Sequence, residues 1–323
     1  MNLFLTALIW GLTISCQNGF VESAVETNTP RIGSSGETAT QKKSSDDLVF
    51  TREGWIYHLP ALEKTPRKIV KGSSPTFDRE RNEIIYVKPQ LPQADAESVL
   101  MIHALKTGKS RELFREKGFV NYLEYDPKGD LVLFVLRTPQ GKTKLEVLNS
   151  TGKETFTVIE TNKEINDVFA PVWSADGDTI FFHDMTNLFH VSLTGQILKK
   201  TPLEKFTGSR GSVTSSDRFL PSPTDDNSFV FTQLVPGTKL FEQTFGEPNT
   251  ALFLYDLTKN KKKRLTPENM FAVDPVWSSD GATIYFTGYY DINGREDYPF
   301  RIFSIKKDGT GITPIATGEG PKL

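Results

Sequence analysis

Few residues in this chain stand in patterns that could do chemistry. Gly108–Lys109–Ser110 and Gly141–Lys142–Thr143 copy the last three residues of a phosphate-binding loop. The upstream glycine is replaced by His103 and Leu136, so the backbone cannot cradle a phosphate, and both triplets read as turns between strands. There is no Gly-x-Ser-x-Gly elbow to expose a serine nucleophile. His58, His103, His183 and His190 show no His-x-His or His-x-x-x-His spacing of the kind that holds zinc. Asp291, Asn293 and Asp297 alternate as calcium-loop oxygens do, but Arg295 occupies a ligand place and no glutamate stands at the twelfth position, so a polar hairpin loop is expected. The basic run from Lys259 to Arg264 reads as a solvated turn between outer strands. No catalytic residue, metal or cofactor is expected.

The one residue expected to be modified is Cys16, the only cysteine, which excludes an internal disulfide. Before it, Leu3–Ile14 is uncharged and apolar, too short to span a bilayer and suited to a signal-peptide core. Thr13–Ile14–Ser15–Cys16 resembles a bacterial lipoprotein signal, in which cleavage leaves a lipidated cysteine. The match is incomplete: Met1–Asn2 carries no lysine or arginine, and Thr13 stands where leucine is usual. Gln17–Asp46 is rich in Ser, Thr, Gly and Glu without periodicity, the composition of a flexible tether. Residues 1–15 are thus expected to be a signal peptide, 16–46 a linker and 47–323 a folded domain. The protein is expected to be exported and membrane-anchored, facing the periplasm or cell surface, and to touch the membrane only through its N-terminal lipid. With 38 Lys and Arg against 40 Asp and Glu, the net charge of −2 gives no field to attract nucleic acid.

The element that must position everything else is a repeat. Pro171–Val172–Trp173–Ser174–Ala175–Asp176–Gly177 returns as Pro275–Val276–Trp277–Ser278–Ser279–Asp280–Gly281. Each copy reads as a strand, a two-residue Asp-Gly turn and a second apolar strand. Phe77 and Tyr125 fall in register with Trp173 and Trp277, at spacings of 48, 48 and 104 residues. The long gap holds a degenerate copy, Phe219–Phe231. A second pair of strands follows each hairpin, as at Leu188–Leu193 with Ile197–Leu198. Four-stranded units at this period are blades of a β-propeller, and 23 Phe suit strands that bury an aromatic core. Leu48–Thr51, Trp55–Leu59 and Arg67–Val70 are strands two to four of a blade lacking its first. Pro321–Leu323 supplies that strand and closes the ring, giving an all-β, six-bladed propeller.

The Pro-x-Trp-Ser-x-Asp-Gly copies at 171–177 and 275–281 resemble the PD40-type (WD40-like) repeats of the TolB family, over about residues 48 to 323. The resemblance implies a periplasmic six-bladed propeller, of a kind whose namesake contacts a peptidoglycan-associated lipoprotein. Here a signal and linker stand where that family has an N-terminal α/β domain, so the resemblance carries the fold rather than the task. Propellers of this sort also lie over serine-peptidase domains and form pectate-degrading lyases. The first would need a hydrolase sheet; the second would need a histidine cluster holding a metal. The motif tryptophans are expected to pack between blades.

Propeller geometry then separates two faces. First-to-second and third-to-fourth turns share one; second-to-third and inter-blade loops share the other. The second face carries the insertions Lys88–Ser98, Thr201–Arg218, Gln233–Thr250 and Gly288–Pro299, and long loops on a rigid scaffold are where binding tends to reside. Candidate contact residues there are Phe241, Phe245, Tyr289, Tyr290 and Tyr298. Asn121, Asp167, Arg218, Asp274 and Glu319, just ahead of the first strands, are expected to ring the channel mouth. The function expected is a monomeric, non-enzymatic scaffold contacting protein, peptidoglycan or another glycan. The alternative is a carbohydrate-active or lyase-type enzyme using the channel mouth.

Overall fold

A computed structural model describes residues 46–89, 97–209, 211–245 and 249–323, with the side chains of residues 225, 226, 244 and 245 excepted. The signal peptide, Cys16 and all of the linker except Asp46 lie outside the described residues. Among the described residues no helix is long and apolar enough to cross a membrane.

The described residues form twenty-four strands in six antiparallel sheets of four. Blade 1 combines β1 (Leu48–Arg52), β2 (Trp55–Leu59) and β3 (Arg67–Lys71) with the last strand of the chain. Blade 2 is β4 (Ser73–Asp78), β5 (Glu83–Val87), β6 (Glu97–Ala104) and β7 (Lys109–Lys117). Blade 3 is β8 (Phe119–Tyr125), β9 (Leu131–Arg137), β10 (Thr143–Asn149) and β11 (Thr155–Glu160). Blade 4 is β12 (Phe169–Trp173), β13 (Thr179–His183), β14 (Asn187–Ser192) and β15 (Ile197–Pro202), followed by the short helix α1 (Glu204–Thr207). Blade 5 is β16 (Phe219–Ser222), β17 (Asp225–Val235), β18 (Asn249–Asp256) and β19 (Lys261–Arg264), with helix α2 (Lys239–Phe245) between β17 and β18. Blade 6 is β20 (Met270–Trp277), β21 (Thr283–Tyr290), β22 (Arg301–Lys306) and β23 (Thr313–Thr317). The last strand, β24 (Glu319–Lys322), lies beside β1 with Val49 opposite Lys322 and Thr51 opposite Glu319. The expected six-bladed ring and its closure by the C-terminal strand are present, and closure leaves no first or last blade with an exposed inner edge.

The core lies between blades. Trp173 packs among Leu133, Val135 and Leu145 of blade 3 and Ile180 and Phe182 of its own blade. Trp277 likewise joins Leu220, Val230 and Leu252 of blade 5 to Ile284 and Phe286. Each indole N–H reaches back to the neighbouring inner strand, Trp173 Nε1 to the Glu124 carbonyl at 3.1 Å and Trp277 Nε1 to the Leu220 carbonyl at 3.3 Å. A buried indole needs such a partner, so the motif tryptophan both fills the inter-blade layer and sets the register of adjacent blades.

The motif hairpin is wider than the two-residue turn its Asp-Gly suggests. Five residues, Ser174–Asp178, separate β12 from β13. Ser174 Oγ donates to Asp176 Oδ1 at 2.6 Å and accepts from the Thr179 amide at 3.0 Å, which holds a tighter inner turn closed by Gly177 N–H to the Ser174 carbonyl. Gly177 has φ of 74°, a left-handed value that glycine adopts without strain.

Candidate functional site

The inner strands share one irregularity. Ser74, Tyr122, Ala170, Asp274 and Gly320 all have left-handed φ, between 45° and 63°. The ladder shifts across this point in β4, β8, β12 and β20. Bulges of this kind re-aim side chains and bend the strand. In blade 5 the corresponding place, 48 residues after Ala170, is held by Arg218.

Charged side chains from alternate blades meet on the axis beside these bulges. Glu124 of blade 3 accepts through Oε2 from Lys322 Nζ of blade 1 at 3.0 Å and from Arg218 Nη2 of blade 5. This triad ties three blades that do not touch in the ring. Burial pushes the Glu124 carboxyl up, but Arg218 and Lys322 outweigh it and hold the group below its ordinary value. Burial, reinforced by Arg218, draws the Lys322 ammonium down to about 8. Asp274, which accepts from Thr287 Oγ1 at 3.4 Å, is raised by burial although both cations face it. Glu319 is raised by burial and then by Asp274.

On the loop-rich side of the triad, the Tyr122 hydroxyl donates to the Ser215 carbonyl at 2.9 Å, a bond from blade 3 to the segment entering blade 5. On the turn side, a cleft of about 550 Å³ opens between the blades. Phe77, Tyr125, Trp173 and Trp277 line its walls, and Glu124 is part of its lining.

Of the residues expected at the mouth, Asn121 and Asp274 lie within β8 and β20, and Glu319 is the first residue of β24. Asp167 and Arg218 precede β12 and β16 as placed from sequence. Arg218, Asp274 and Glu319 do converge at the axis, and Asp167 stands off, paired with Arg137 at 3.2 Å. The Asn121 Oδ1 is buried without a hydrogen-bond partner among the described residues. Glu124 and Lys322 were not singled out from sequence. A signal for them exists: their place in the repeat holds Thr76, Val172, Leu220 and Val276 in the other blades. Two opposite charges at an otherwise mostly apolar repeat position mark a pair.

Of the aromatics named in the inserted loops, Phe241 and Tyr289 are buried and Tyr290 and Tyr298 are half-buried. Phe241 and Tyr289 are only 2 % and 5 % exposed and pack on one another with ring centroids 6.0 Å apart. Tyr289 also stacks on Phe271, Tyr298 packs edge-on to Phe300, and Tyr290 packs edge-on to Phe303. The Phe245 side chain lies outside the described residues. Phe241, Phe271, Tyr289, Tyr298 and Phe300 therefore form a satellite core beside α2 and the 3-10 turn Asp291–Asn293, helped by Thr238 Oγ1 donating to Asp291 Oδ2 at 2.8 Å. What this face exposes is aliphatic or isolated: Leu240 (42 %) and Ile292 (79 %) on that knob, Met185 (44 %) between β13 and β14, and Phe119 (62 %) at the start of β8.

The four histidines are spent within the sheets. His183 Nε2 donates to the Asp217 carbonyl at 2.8 Å while Nδ1 accepts from the Met185 amide at 3.2 Å. Burial lowers its pKa to about 4, against smaller opposing effects of the Asp217 carbonyl and nearby carboxylates. His58, His103 and His190 bond to Asp47, Ser110 and Thr179. Among the described residues no group of three His, Cys, Asp or Glu is arranged to hold a metal. In the Asp291–Asp297 loop, Asp291 accepts from Thr238, and Glu296 accepts from Asn293 and Arg301.

No family model matches the sequence. No curated protein matches it either. Among solved structures, TolB from Acinetobacter baumannii superposes with a TM-score of 0.62 at 15 % identity, over 87 % of this chain and 67 % of that one. A protein assigned as TolB from Agrobacterium tumefaciens gives 0.53 at 15 % identity, over 86 % and 92 % of the two chains. Kuenenia stuttgartiensis hydrazine synthase gives 0.53 at 10 % identity, over 85 % and 81 %. At these identities the likeness is one of fold, and it agrees with the repeat: this chain has the TolB-like six-bladed propeller fold.

Proposed function

We propose that this protein is a non-enzymatic binding and assembly module of the bacterial cell envelope, exported and anchored by lipid at Cys16, which holds a protein partner on its loop-rich face. The observation that carries this is the placement of Phe119, Met185, Leu240 and Ile292, exposed apolar side chains that all stand on that one face. Aliphatic and aromatic groups on a rigid frame are what a protein interface desolvates, whereas a glycan would ask for exposed aromatic platforms and convergent polar groups. The satellite core beneath Leu240 and Ile292 pre-organises the knob, so little ordering cost opposes binding.

Glu124, Arg218 and Lys322 at the axis are engaged with one another, an arrangement suited to holding alternate blades together. A lyase or carbohydrate-active enzyme would have to draw its acids from Asp274 and Glu319, the two axial carboxyls that burial raises.

Leu240→Asp and Ile292→Asp test the proposal. Each should leave the thermal midpoint within a few degrees, because both side chains are exposed, and should abolish co-purification of the partner. Partner recovery equal to that of the unaltered protein would count against the loop-rich face. For the anchor, Cys16→Ser should move the protein from the membrane fraction to the soluble one.

A further inference from the structure

The outermost strand of every blade is an open sheet edge, and lysine on such an edge discourages pairing with another chain. On β3 and β7 the cations are partly matched by acids. Arg67 pairs with Glu63 at 2.7 Å, and Arg115 with Glu97 and Glu112 at 3.0 and 2.7 Å. The adjacent edges β15 and β19 differ. They carry Lys199, Lys200, Lys261, Lys262, Lys263 and Arg264 and no acidic residue. Among the described residues, none of these six forms an ion pair with a carboxylate. Lys262 Nζ donates to Gln233 Oε1 at 3.0 Å and to the Thr207 carbonyl, Lys263 Nζ to the Asp308 carbonyl at 2.7 Å, and Arg264 to the carbonyls of Thr266 and Pro267. Bonds to neutral oxygens leave the charge in place.

The two strands belong to one surface. The Lys262 bond ends on Thr207, the last residue of α1, and α1 packs on β15. Leu198, 47 % exposed, stands next to Lys199 on the same edge. The acids nearby are Asp256, engaged by Lys259 at 2.8 Å, Asp308 and Glu268, whose charges reach Lys263 and Arg264 without forming an ion pair, and Glu204 of α1, which is followed by Lys205. A whole chain of net charge −2 thus presents a sector on its rim in which cations outnumber the acids that face them.

We propose that the rim formed by β15 and β19 rests on a bilayer surface containing anionic phospholipid. Cations spread across two blades, with one exposed leucine among them, fit a mobile array of phosphate headgroups over an apolar layer better than a partner of fixed shape. The rim stands at the side of the propeller, so this contact leaves the loop-rich face free, and it does not depend on the partner proposed for that face.

Every strand of the described residues lies after residue 47, so a chain beginning at Glu37 keeps the whole ring and lacks the apolar N-terminal segment. That chain should sediment with phosphatidylcholine vesicles containing about 30 % phosphatidylglycerol and not with pure phosphatidylcholine. Salt at about 0.5 M should release it, because the Debye length then falls to a few ångströms. Lys199→Glu with Lys200→Glu and Lys261→Glu should weaken binding by at least about tenfold, and Leu198→Asp should weaken it further. Lys109→Glu with Lys117→Glu on β7 should change it little. Glutamine at positions 199, 200 and 261 provides the milder test if the glutamate variant does not fold. Equal sedimentation with both vesicle types would overturn the proposal. So would equal loss from the β7 variant, or binding to a soluble polyanion without binding to vesicles.

Discussion

Glu124 carries two cations on a single carboxylate oxygen, and its removal would leave Arg218 and Lys322 facing each other in a buried place. Breaking a buried pair by deleting one partner costs several kcal/mol. The Glu124 side chain is 20 % exposed, which puts Glu124→Gln at the lower end, about 3 kcal/mol, read from the denaturant midpoint. Adding Lys322→Met should restore part of that loss, because it removes a charge left without a partner. His183 gives a pH signature. An unfolded histidine titrates near 6.5 and this one near about 4, so between those values the unfolded chain binds a proton that the native one refuses. Stability from this group is complete above pH 6.5 and falls as pH drops toward 4, by at most about 3 kcal/mol. The buried Asp217 carboxyl is shifted up and opposes part of that slope in the acid range. Chemical denaturation from pH 7 to pH 4 should therefore show a flatter decline in His183→Gln than in the unaltered protein.

The inner strand and its hairpin are the elements on which the ring depends. β24 contributes its ladder to β1, the Lys322 ammonium to the axis, and the Gly320 amide to Thr287 Oγ1 at 2.8 Å. Asp46, at the entry to β1, adds a second clasp, accepting from Arg79 of blade 2 and from Ser279 and Tyr285 of blade 6. Deleting residues 319–323 should lower the thermal midpoint by more than about 10 °C, since each kcal/mol lost is worth a few degrees at this size. A normal midpoint in that deletion would show that closure contributes little. Trp277→Phe should cost about 1 to 3 kcal/mol by leaving the Leu220 carbonyl unpaired in the core. These elements were legible in the sequence because the aligned aromatics, the Asp-Gly turns and the interrupted strand at 321–323 are local patterns repeated at one period. The inner-strand bulge was not legible. No shared residue type marks Ser74, Tyr122, Ala170 and Asp274, since the left-handed φ there is imposed by the ladder on both sides. The burial of Phe241 and Tyr289 was not legible for a similar reason. Whether Tyr289 faces water depends on Phe241 and Phe300, which approach it only in three dimensions.

For the molecule as a whole, the triad and Tyr122 span the axis, and the faces and rim are left for contact. The turn-side cleft is walled by the same tryptophans that set the inter-blade register, so substitutions there confound fold with binding. The loop-rich face has no such conflict, because Leu240 and Ile292 stand on a knob whose packing lies beneath them. Its identity as a face followed from strand order alone, whereas the side chains it offers could be read only from the folded structure. Partner binding at the loop-rich face is tested most directly by placing a photo-crosslinking amino acid at position 292, and separately at the exposed Lys128 of the turn face, in living cells. One defined covalent adduct with an envelope protein is expected from position 292 and none from position 128. An adduct formed from position 128 alone would contradict it.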